Sequence, residues 1–517
     1  MASWAGFVLV LTSVTLQADA QSSHTMDNIL DYFPGAEGDG LNIVWAHAVN
    51  SQAELDEALT DDTMMLEADV SAENNTGIPI MAHPPDVYSD LTLEEWLVQC
   101  TETDKGMKMD FKDINVVTDS MDIINFYEDR IHQPLWLNAD IVKGPNGGDP
   151  VPPVEFISKI NDGFPTAVLS LGWTTSWIPF KSDMYTWTMI FDNMFYSYPS
   201  KQPVTFPVRA VWSITSWNKF VWILGVRHDF SITVWTGSND NVDVQGLVEL
   251  RKHGDIKRIY YDLTDELMQE FEDALALLTT PVPTTSDGTS DQWDSTLWNV
   301  IESQAIGDYV YLSTDSVGLV GVDRGAFIES KYEYQAGTES LEALEITGTI
   351  QFVFRVDEDT YAAGDGVEIY IRSSGISNLK MIEDGLRLYI GRDGEVRLES
   401  VTSPVEGVSD ALSPSDCYSF KVVDKGSISA VLADVQPVEC TDGTGNLPTE
   451  VDPVSLSLAA PYDENERFFI VMSKAGDDID VLLEDVILPH SDGTMTSHHI
   501  HQSAMFISIF ISILQLV

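Results

Sequence analysis

The chain has 517 residues, and its 27 Lys and Arg against 82 Asp and Glu give a net charge of −55 at pH 7. Hydrophobic residues make up 44% and aromatic residues 10% of the chain, which is enough to build cores and excludes wholesale disorder. So negative a surface repels phosphate backbones, and we therefore expect no nucleic-acid partner. The length predicts two or three domains.

Both ends of the chain carry patterns typical of processing signals. An apolar stretch at residues 5–16, followed by the small residues Ala18 and Ala20, predicts a secretory signal peptide over residues 1–20. An apolar tail at residues 504–517 and a polar spacer follow Ser491, the expected attachment site of a GPI anchor within residues 491–517. A short transmembrane anchor or a free hydrophobic tail are the alternatives. We therefore expect an extracellular protein that a lipid anchor holds at the cell surface.

Three cysteines fit an oxidising compartment in which few disulfides are needed. Cys417 and Cys440 are the natural pair because they lie close together in a strand-rich region. Cys100 is left over and is expected to be a buried thiol. Asn74, in the triplet Asn-Asn-Thr of a polar, turn-like stretch, is the expected glycosylation site.

Short apolar runs alternate with helix-like segments between residues 36 and 278, which form the first predicted domain. The runs cover residues 42–46, 64–70, 78–82, 106–111, 135–141, 167–172, 207–212, 231–235 and 256–262. The short gap from Val70 to Ile78 leaves no room for the crossover that joins parallel strands, so the third run is predicted to be a hairpin return. Eight strand-helix units remain, which predicts an α/β fold of the (β/α)8 TIM-like barrel type. An open doubly wound sheet is the alternative.

The composition changes to Pro, Thr, Ser, Gly and Asp between residues 279 and 291, which predicts a linker. Beyond it, at residues 292–490, short runs of alternating polar and apolar residues recur, with Gly-Asp-Gly and Arg-Asp-Gly turn signals between them. This pattern predicts a second, all-β domain that forms a sandwich of lectin-like or jelly-roll type.

Polar side chains stand at the carboxyl ends of the predicted barrel strands, where barrel enzymes build their sites. In chain order they are His47, Glu67, Asp69, His83, Asp110 and Lys112. Residues two apart on a strand point to the same face, so Glu67 converges with Asp69, and Asp110 with Lys112. Three converging carboxylates repel one another unless a cation neutralises them, and oxygen ligands select a hard ion such as Mg²⁺ or Ca²⁺.

The remaining three side chains suit catalysis beside such an ion. His47 and His83 are expected to act as general acid and base. Lys112 would hold a phosphate oxygen and balance the charge that develops there. Strand-end histidines and Glu-x-Asp pairs each have an ordinary structural interpretation, but their order on successive strand ends favours a genuine site. Together they predict metal-assisted cleavage of a phosphodiester.

Five sequence blocks resemble the menorin family, in the order in which that family has them. They are residues 41–50, 65–70, 79–85, 106–112 and 136–141, and the resemblance covers residues 40–265, about half of the chain. The family in turn is similar to the glycerophosphodiester phosphodiesterases and the barrel phospholipases. The resemblance implies that His47 and His83 take the acid and base positions. It also implies that the same three carboxylates hold the metal, that Lys112 faces the phosphate, and that the substrate is a glycerophosphodiester or a lysophospholipid.

The chain departs from the phosphodiesterase pattern at several of these positions. Ala48 and Val49 replace the Arg and Gly that follow the first histidine, which removes a guanidinium that would grip phosphate. Pro84 replaces the acidic residue after the second histidine, and Asp110 is one methylene shorter than the usual Glu. Arg209, on a later strand, is a candidate to supply the missing positive charge.

Further strand-end residues are expected to line a substrate pocket, namely Asn138, Asp140, Trp173 and Trp235; for the two tryptophans the alternative is packing. Two functions follow from these observations. The first is a metal-dependent phosphoric diester hydrolase. The second is a non-catalytic extracellular adhesion or ligand protein, because the family resemblance implies a part in tissue or neuronal patterning through protein partners.

Overall fold

The computed structural model describes residues 29–277, except 181–182 and 238–239, and the strands with parts of their loops between residues 298 and 488. The expected signal peptide, the linker at residues 279–291, the anchor site Ser491 and the apolar tail lie outside the described residues. Within the described part, no helix is both long enough and apolar enough to span a membrane.

The first region is a nearly closed barrel of parallel strands with one additional hairpin strand. Its strands are β1 (Trp45–Ala46), β2 (Met65–Ala72), β3 (Pro79–Met81), β4 (Gly106–Phe111), β5 (Leu135–Lys143), β6 (Val168–Thr174), β7 (Val204–Arg209), β8 (Phe230–Trp235) and β9 (Ile259–Asp262). Apart from β3, they follow one another around the sheet in chain order, each parallel to the next. β3 runs antiparallel to β2 and pairs Met81 with Val70. The predicted barrel and its hairpin return are therefore confirmed.

One short helix precedes the first strand at the base of the barrel, and the other helices follow the strands and cover the outside of the barrel. They are α1 (Ile29–Tyr32), α2 (Gln52–Ala58), α3 (Leu93–Cys100), α4 (Val117–Phe126), α5 (Pro153–Gly163), α6 (Trp187–Ser197), α7 (Ser213–Val226), α8 (Val244–His253) and α9 (Asp265–Ala276). Local signals explain where two of them begin. Ser51 and Glu54 form a capping box at the start of α2, and Thr92 and Glu95 form another at the start of α3.

Two of the predicted strand runs differ from the strands that form. The run at residues 207–212 is wrong at both ends, because the strand starts earlier, at Val204, and ends at Arg209. Residues Ala210–Trp212 turn in a 3₁₀ helix that leads directly into α7. The run at residues 42–46 is a strand only in its last two residues, because Gly40–Asn42 form a 3₁₀ turn whose start is capped by the Asp39 side chain.

The barrel closes between β1 and β9, the first and last strands of the path, which meet without a ladder pair in the described residues. Where the two strands begin, Gly40 N–H donates to Ile256 O at 2.9 Å. A Cβ at Gly40 would lie 2.1 Å from Ile259 O, so glycine is required for this approach. Where the strands end, the side chains of His47 and Asp262 join them.

An apolar cluster fills the end of the barrel at which the strands begin. It consists of buried residues from the amino-terminal segment and from four strands: Ile29, Leu30, Ala36, Ile43, Met65, Trp136, Val168 and Tyr260. Trp136 packs its ring against Trp45 and Tyr260, with centroids 5.5 and 5.4 Å apart. We call this set the basal cluster. It makes this end of the barrel interior dry and packed.

The second region consists of two antiparallel β-sheets. Its strands are β10 (Trp298–Glu302), β11 (Tyr309–Leu312), β12 (Ser316–Val320), β13 (Ala326–Ser330), β14 (Tyr334–Gln335), β15 (Leu344–Phe354), β16 (Gly366–Ser373), β17 (Leu386–Gly391), β18 (Glu395–Ser400), β19 (Val408–Ala411), β20 (Cys417–Asp424), β21 (Val431–Pro437), β22 (Val454–Leu458), β23 (Arg467–Ala475) and β24 (Ile479–Ile487). One sheet has the order β10-β13-β23-β16-β17-β18-β19, with β14 beside β23, and the other has the order β11-β12-β24-β15-β20-β21-β22. A shared apolar core lies between them, which confirms the predicted β-sandwich.

Covalent and packing contacts fix the second region. Cys417, the first residue of β20, forms the predicted disulfide with Cys440, with 5.4 Å between their Cα atoms. Ser313 Oγ donates to Trp222 O in α7 at 2.9 Å, and the Tyr311 ring packs beside the ring of the same tryptophan. The sandwich therefore rests on the outer helical layer of the barrel.

Candidate metal and active site

Three carboxylates meet at the carboxyl ends of β2 and β4. Glu67 and Asp69 occupy alternate positions of β2 and so face the barrel interior together, and Asp110 is level with Asp69 on the adjacent β4. One oxygen from each of the three lies within 4.8 Å of the others. Glu67 and Asp69 are 2% and 4% exposed, so their charges are held away from bulk water. The structure thus brings together the three residues that the sequence predicts as metal ligands.

Lys112 lies between two of these carboxylates. Its Nζ is 2.5 Å from Asp110 Oδ2 and 3.0 Å from Asp69 Oδ1. The other oxygen of Asp110, Oδ1, is buried and has no hydrogen-bond partner among the described residues, although Asn138 lies beside it on β5. A buried carboxylate oxygen without a donor is costly unless a cation contacts it. The donor set therefore fits a hard divalent ion, which Glu67, Asp69 and Asp110 would hold.

The charges in this cluster shift the pKa values of its members. Burial raises the pKa of Glu67, and the Asp69 carboxylate raises it further. Burial also opposes the ionisation of Asp110, but the Lys112 ammonium outweighs it and lowers the pKa of Asp110 below its usual range. In return, Asp110 and Asp69 raise the pKa of Lys112, although burial lowers it. The lysine is therefore a lasting positive charge beside the metal ligands.

A buried carboxylate from the last barrel strand orients His47. The imidazole Nδ1 lies 2.8 Å from Asp262 Oδ2 and 3.6 Å from Glu67 Oε2. Charge attraction from Asp262 raises the pKa of His47 to about 10, against the opposing effect of burial. The Asp262 side chain is 2% exposed and the His47 side chain 45%, so the imidazole reaches from a buried partner toward the mouth of the barrel. Its Nε2 is thereby left to exchange a proton with a substrate.

The turn after β1 supports two of the metal ligands. Ala48 has a φ of 56°, and its N–H donates to Glu67 Oε2 at 2.9 Å. The side-chain amide of Asn50 donates to Asp69 Oδ2 at 2.7 Å, and its Oδ1 accepts from the Asp69 N–H at 2.8 Å. These bonds orient the carboxylates before any ion binds. The segment that departs from the phosphodiesterase motif therefore has a supporting role of its own.

His83 stands on the same rim, in the loop after β3. The preceding residue, Ala82, donates its N–H to Asp69 O at 2.9 Å, which places the histidine next to the strand that carries two metal ligands. His83 is exposed, and its Nδ1 lies 2.6 Å from Pro84 O. The second predicted acid or base is therefore at the mouth of the barrel, bonded to its own loop.

Asn138 and Asp140 continue the interior face on β5. Asn138 Oδ1 accepts from Ser170 Oγ at 2.5 Å, and both side chains are buried. Burial, and then the charge of Asp110, raise the pKa of Asp140 to about 7. Gly172 on β6 makes room for this carboxyl group, because a Cβ there would lie 2.3 Å from Asp140 Oδ1. These two predicted pocket residues therefore adjoin the metal cluster from the side of β5.

Arg209 ends β7 and is held in a buried ion pair. Its Nε and Nη2 donate to Asp240 Oδ2 and Oδ1 at 2.8 and 2.7 Å, and its Nη1 donates to Ser176 O at 2.6 Å. The guanidinium carbon also lies 5.1 Å from the centroid of the Trp235 ring. Because Asp240 already neutralises it, Arg209 does not replace the phosphate-binding arginine that the motif lacks. It fixes the loop after β6 instead.

The two predicted pocket tryptophans lie in different layers. Trp235 is half-buried beside Arg209 at the mouth of the barrel. Trp173 is buried and donates from Nε1 to Met189 O in α6 at 2.8 Å, so it packs between the sheet and that helix. Trp235 therefore belongs to the mouth, whereas Trp173 fills the outer layer.

The expected glycosylation site, Asn74, is exposed in the turn between β2 and β3. Its Nδ2 donates to Tyr88 Oη at 3.3 Å, an exposed contact that a glycan would replace without disturbing the core. The glycan itself stays a prediction.

The sequence-based prediction misses four residues that support the site: Asn50, Lys108, Asp240 and Asp262. Lys108 could have been found, because it lies two residues before Asp110 on β4 and therefore faces the interior, where it is buried. Asp262 ends a strand as the other site residues do, but its pairing with His47 joins residues 215 apart and leaves no local signal. Asn50 and Asp240 lie in loops, for which hydrophobic periodicity predicts nothing.

Similarity to solved structures is weak. The Lotus tetragonolobus seed lectin matches 38% of this chain and 96% of its own, with a TM-score of 0.27 and 8% identity. The metal-free carbohydrate recognition domain of Emp46p matches 39% of this chain and 94% of its own, with a TM-score of 0.25 and 13% identity. Scores this low carry no argument about fold or ligand.

Similarity to known sequences is strong in both regions. The family model of the Menorin N-terminal domain matches residues 39–268, and that of the Menorin C-terminal domain matches residues 306–488. The chain is also 40% identical to the Homo sapiens Protein FAM151B over 260 residues, which cover 48% of this chain and 94% of that protein. Since the two models together span most of both folded regions, the chain belongs to the menorin family.

Proposed function

We propose that the barrel is a metal-dependent phosphodiesterase that cleaves glycerophosphodiesters or lysophospholipids. The observation that carries the proposal is the convergence of Glu67, Asp69 and Asp110 beside the His47–Asp262 pair, with an Asp110 oxygen that no described residue bonds. Oxygen-only ligands favour Mg²⁺ or Ca²⁺. Such an ion would supply the positive charge that neutralises the phosphoryl oxygens during cleavage.

The two histidines of the rim carry the proton transfers. Asp262 holds His47 through Nδ1, so Nε2 is the atom that gives or takes a proton at the substrate. His83 supplies the complementary acid or base from the loop after β3. Because its Nδ1 bonds a carbonyl of its own loop, its Nε2 is the nitrogen that a substrate at the mouth would meet.

Two lysines, one on β4 and one just after it, balance the negative charge. Lys112 Nζ bridges Asp69 and Asp110 in the structure, and the same ammonium would donate to a phosphoryl oxygen when a substrate binds. Lys108 lies four residues before Lys112, on the same face, and adds a second buried positive charge. These lysines would take over the electrostatic role of the arginine that Ala48 replaces.

Turnover by the purified full-length protein tests the proposal. The substrates are bis-p-nitrophenyl phosphate, glycerophosphocholine and lysophosphatidylcholine, each with Mg²⁺, with Ca²⁺ and with EDTA. We expect turnover that EDTA abolishes and that returns when the ion is restored. His47→Asn and Asp110→Asn should lose it, whereas Asp122→Asn, an exposed carboxylate on α4, should keep it. Absence of ion-dependent turnover on all three substrates, or equal turnover by His47→Asn, would contradict the proposal.

A second candidate function is that of a non-catalytic extracellular protein that acts through protein partners. The observation that favours it is the neutralisation of Arg209 by Asp240, in a chain where Ala48 already replaces the motif arginine. In that case an ion at the carboxylates would serve stability alone. An ion that raises the melting temperature of the wild-type protein, without turnover of any substrate, would favour this function.

We further infer that the protein acts at the cell surface, with a GPI anchor at Ser491 and a glycan at Asn74. The supporting patterns are the apolar stretches at residues 5–16 and 504–517 and the exposed Asn-Asn-Thr triplet. Phosphatidylinositol-specific phospholipase C should release the protein from intact cells, and Asn74→Gln should reduce its apparent mass. Retention on cells after the phospholipase treatment would contradict the lipid anchor.

A further inference from the structure

The loop that follows β6 exposes three large apolar side chains within four residues. Trp177, Ile178 and Phe180 are 82%, 69% and 62% exposed. Single apolar residues scattered over a surface are ordinary, but a contiguous group of this size marks an interaction site. We call these three residues the apolar tip.

Hydrogen bonds hold the backbone on both sides of the apolar tip. Arg209 donates from Nη1 to Ser176 O at 2.6 Å, and Trp212 donates from Nε1 to Phe180 O at 2.8 Å. Arg209 is itself fixed by its bidentate pair with Asp240. The exposure of the three side chains is therefore set by the structure beneath them and does not result from a loose loop.

The apolar tip lies on the same rim of the barrel as the metal cluster. It follows the carboxyl end of β6, and the loop after β5 runs beside it. Gly144 N–H donates to Thr174 O at 3.0 Å, and Ser176 N–H donates to Pro145 O at 3.4 Å. A surface that buries the tip is therefore brought to the mouth of the barrel.

Charge and size decide which kind of partner the apolar tip fits. Residues 174–180 contain no charged side chain, in a chain whose net charge is −55. A stable protein interface buries about 800 Å² on each side and has a polar rim, which three side chains do not provide. A lipid bilayer needs only a few inserted apolar side chains, and Trp is favoured at its interface. Because the chain is strongly negative, anionic lipids repel it, and the lipid that fits the apolar tip is therefore zwitterionic.

We propose that the apolar tip inserts into the interfacial region of a zwitterionic phospholipid bilayer and holds the mouth of the barrel against the membrane. The rings of Trp177 and Phe180 suit the boundary between headgroups and acyl chains, and Ile178 enters the apolar side of that boundary. This orientation would present membrane lipids to the site of the proposed function. Membrane binding itself needs neither the ion nor turnover.

Flotation of the full-length protein with phosphatidylcholine vesicles in EDTA tests the proposal. Combining Trp177→Ser, Ile178→Ser and Phe180→Ser should lower the vesicle partition coefficient at least about tenfold. The matched control replaces Phe126 and Leu277 by Ser. Both are similarly exposed, at 79% and 78%, but lie at the ends of α4 and α9, on the side of the basal cluster. The control should bind as the wild type does, and phosphatidylglycerol vesicles should bind all variants more weakly at low salt.

A second measurement reports on the apolar tip directly, independently of any other membrane contact of the chain. An environment-sensitive nitrobenzoxadiazole dye on Ile178→Cys should shift to the blue when phosphatidylcholine vesicles are added, and doxyl-labelled lipid should quench it. The same dye on Phe126→Cys should do neither. Cys100 is buried and the other two native cysteines form a disulfide, so the introduced cysteine is the thiol that reacts.

Two outcomes would overturn the proposal. In the first, the triple variant partitions as the wild type does, and vesicles leave the emission of the dye on Ile178→Cys as it is in buffer. The apolar tip would then bind a protein surface instead of a membrane. In the second, wild-type protein does not bind phosphatidylcholine at all. Because both assays are run in EDTA, a failed turnover assay leaves them valid, and failed membrane binding leaves the turnover assay valid.

Discussion

The two ends of the barrel differ in chemistry although the same strands build both. Where the strands begin, the basal cluster packs apolar side chains around Trp136. Two and four residues further along β5, Asn138 and Asp140 face the same interior among carboxylates and lysines. Side chains of a strand return to the same face every second residue, so about 7 Å of strand separates a packed layer from a charged one. The same strands therefore carry the residues that stabilise the fold and, further along, the residues that form the site.

The two ends also contribute free energy of opposite sign. Burial of the basal cluster removes apolar area from water and favours folding. Burial of like charges at the rim opposes folding, except where a partner such as Lys112 compensates it. Substitutions at the base should therefore reduce stability with little effect on the site. Substitutions at the rim should impair the site with little effect on stability.

The largest effect is expected at the base. Trp136→Ala removes a buried aromatic ring and leaves a cavity, which should lower the free energy of unfolding by about 4 kcal/mol. Urea denaturation measures this loss. The control is Trp177→Ala, which removes an exposed ring at the rim and should cost less than about 0.5 kcal/mol. Equal losses for the two variants would contradict the division between base and rim.

The next effect is expected among the metal ligands. Asp110→Asn removes one of three charges that would hold the ion, so its affinity for Mg²⁺ or Ca²⁺ should fall about 100-fold, a difference of about 2.7 kcal/mol. In EDTA the free energy of unfolding should change by less than about 1 kcal/mol, because two effects oppose each other. The substitution removes the charge on a buried oxygen that lacks a donor, which favours folding, and it removes the ion pair with Lys112, which opposes folding. Titration calorimetry measures the affinity, with Asp122→Asn as the control. An unchanged affinity would remove Asp110 from the ligand set.

A smaller effect is expected from the residue that orients His47. Asp262→Asn should lower kcat about 10-fold to 100-fold while KM and ion affinity stay near those of the wild type. The pKa of His47, raised to about 10 beside Asp262, should fall toward its ordinary value of 6.5. While Asp262 is ionised, the pair stabilises the folded protein fully below pH 6.5, and this contribution is lost as the pH rises through about 10. It is also lost in acid that protonates Asp262, whose pKa His47 lowers against the opposing effect of burial. NMR titration of the imidazole checks the shift; an unmoved pKa would contradict the positioning role.

The smallest effect is expected from a residue that belongs to neither end. Cys100 is a buried free thiol on α3, outside the barrel wall, and burial raises its pKa. It should therefore resist thiol reagents in the folded protein and react only after unfolding. Cys100→Ser should cost about 1 kcal/mol, since a hydroxyl replaces a sulfur in an apolar layer. Rapid labelling of the native protein would show that this layer opens.

Much of the barrel can be predicted because its signals are local. Most strand runs are long enough to recognise, and the gap between Val70 and Ile78 decides by length alone that β3 is a hairpin return. Strand order in the sandwich cannot be predicted in this way. The pairing of β15 with β24, for example, is set by contacts between distant parts of the chain.

The same distinction explains which site residues can be predicted. Glu67 and Asp69 end a strand, and their spacing alone places them on one face. The alternation of β6 could also have shown that Trp173 faces away from the interior, since Gly172 faces it. Neutralisation of Arg209 by Asp240 depends on a loop conformation, for which the sequence carries no periodic signal.

The closure of the barrel has a consequence for control of the site. β1 and β9 share no backbone ladder in the described residues, and at their carboxyl ends His47 and Asp262 join them. The contact that closes the barrel at this end is therefore also the contact that orients the reactive imidazole. Local opening between β1 and β9 would separate His47 from Asp262 while the basal cluster stayed intact. A molecule that held the first and last strands together would keep the imidazole aligned.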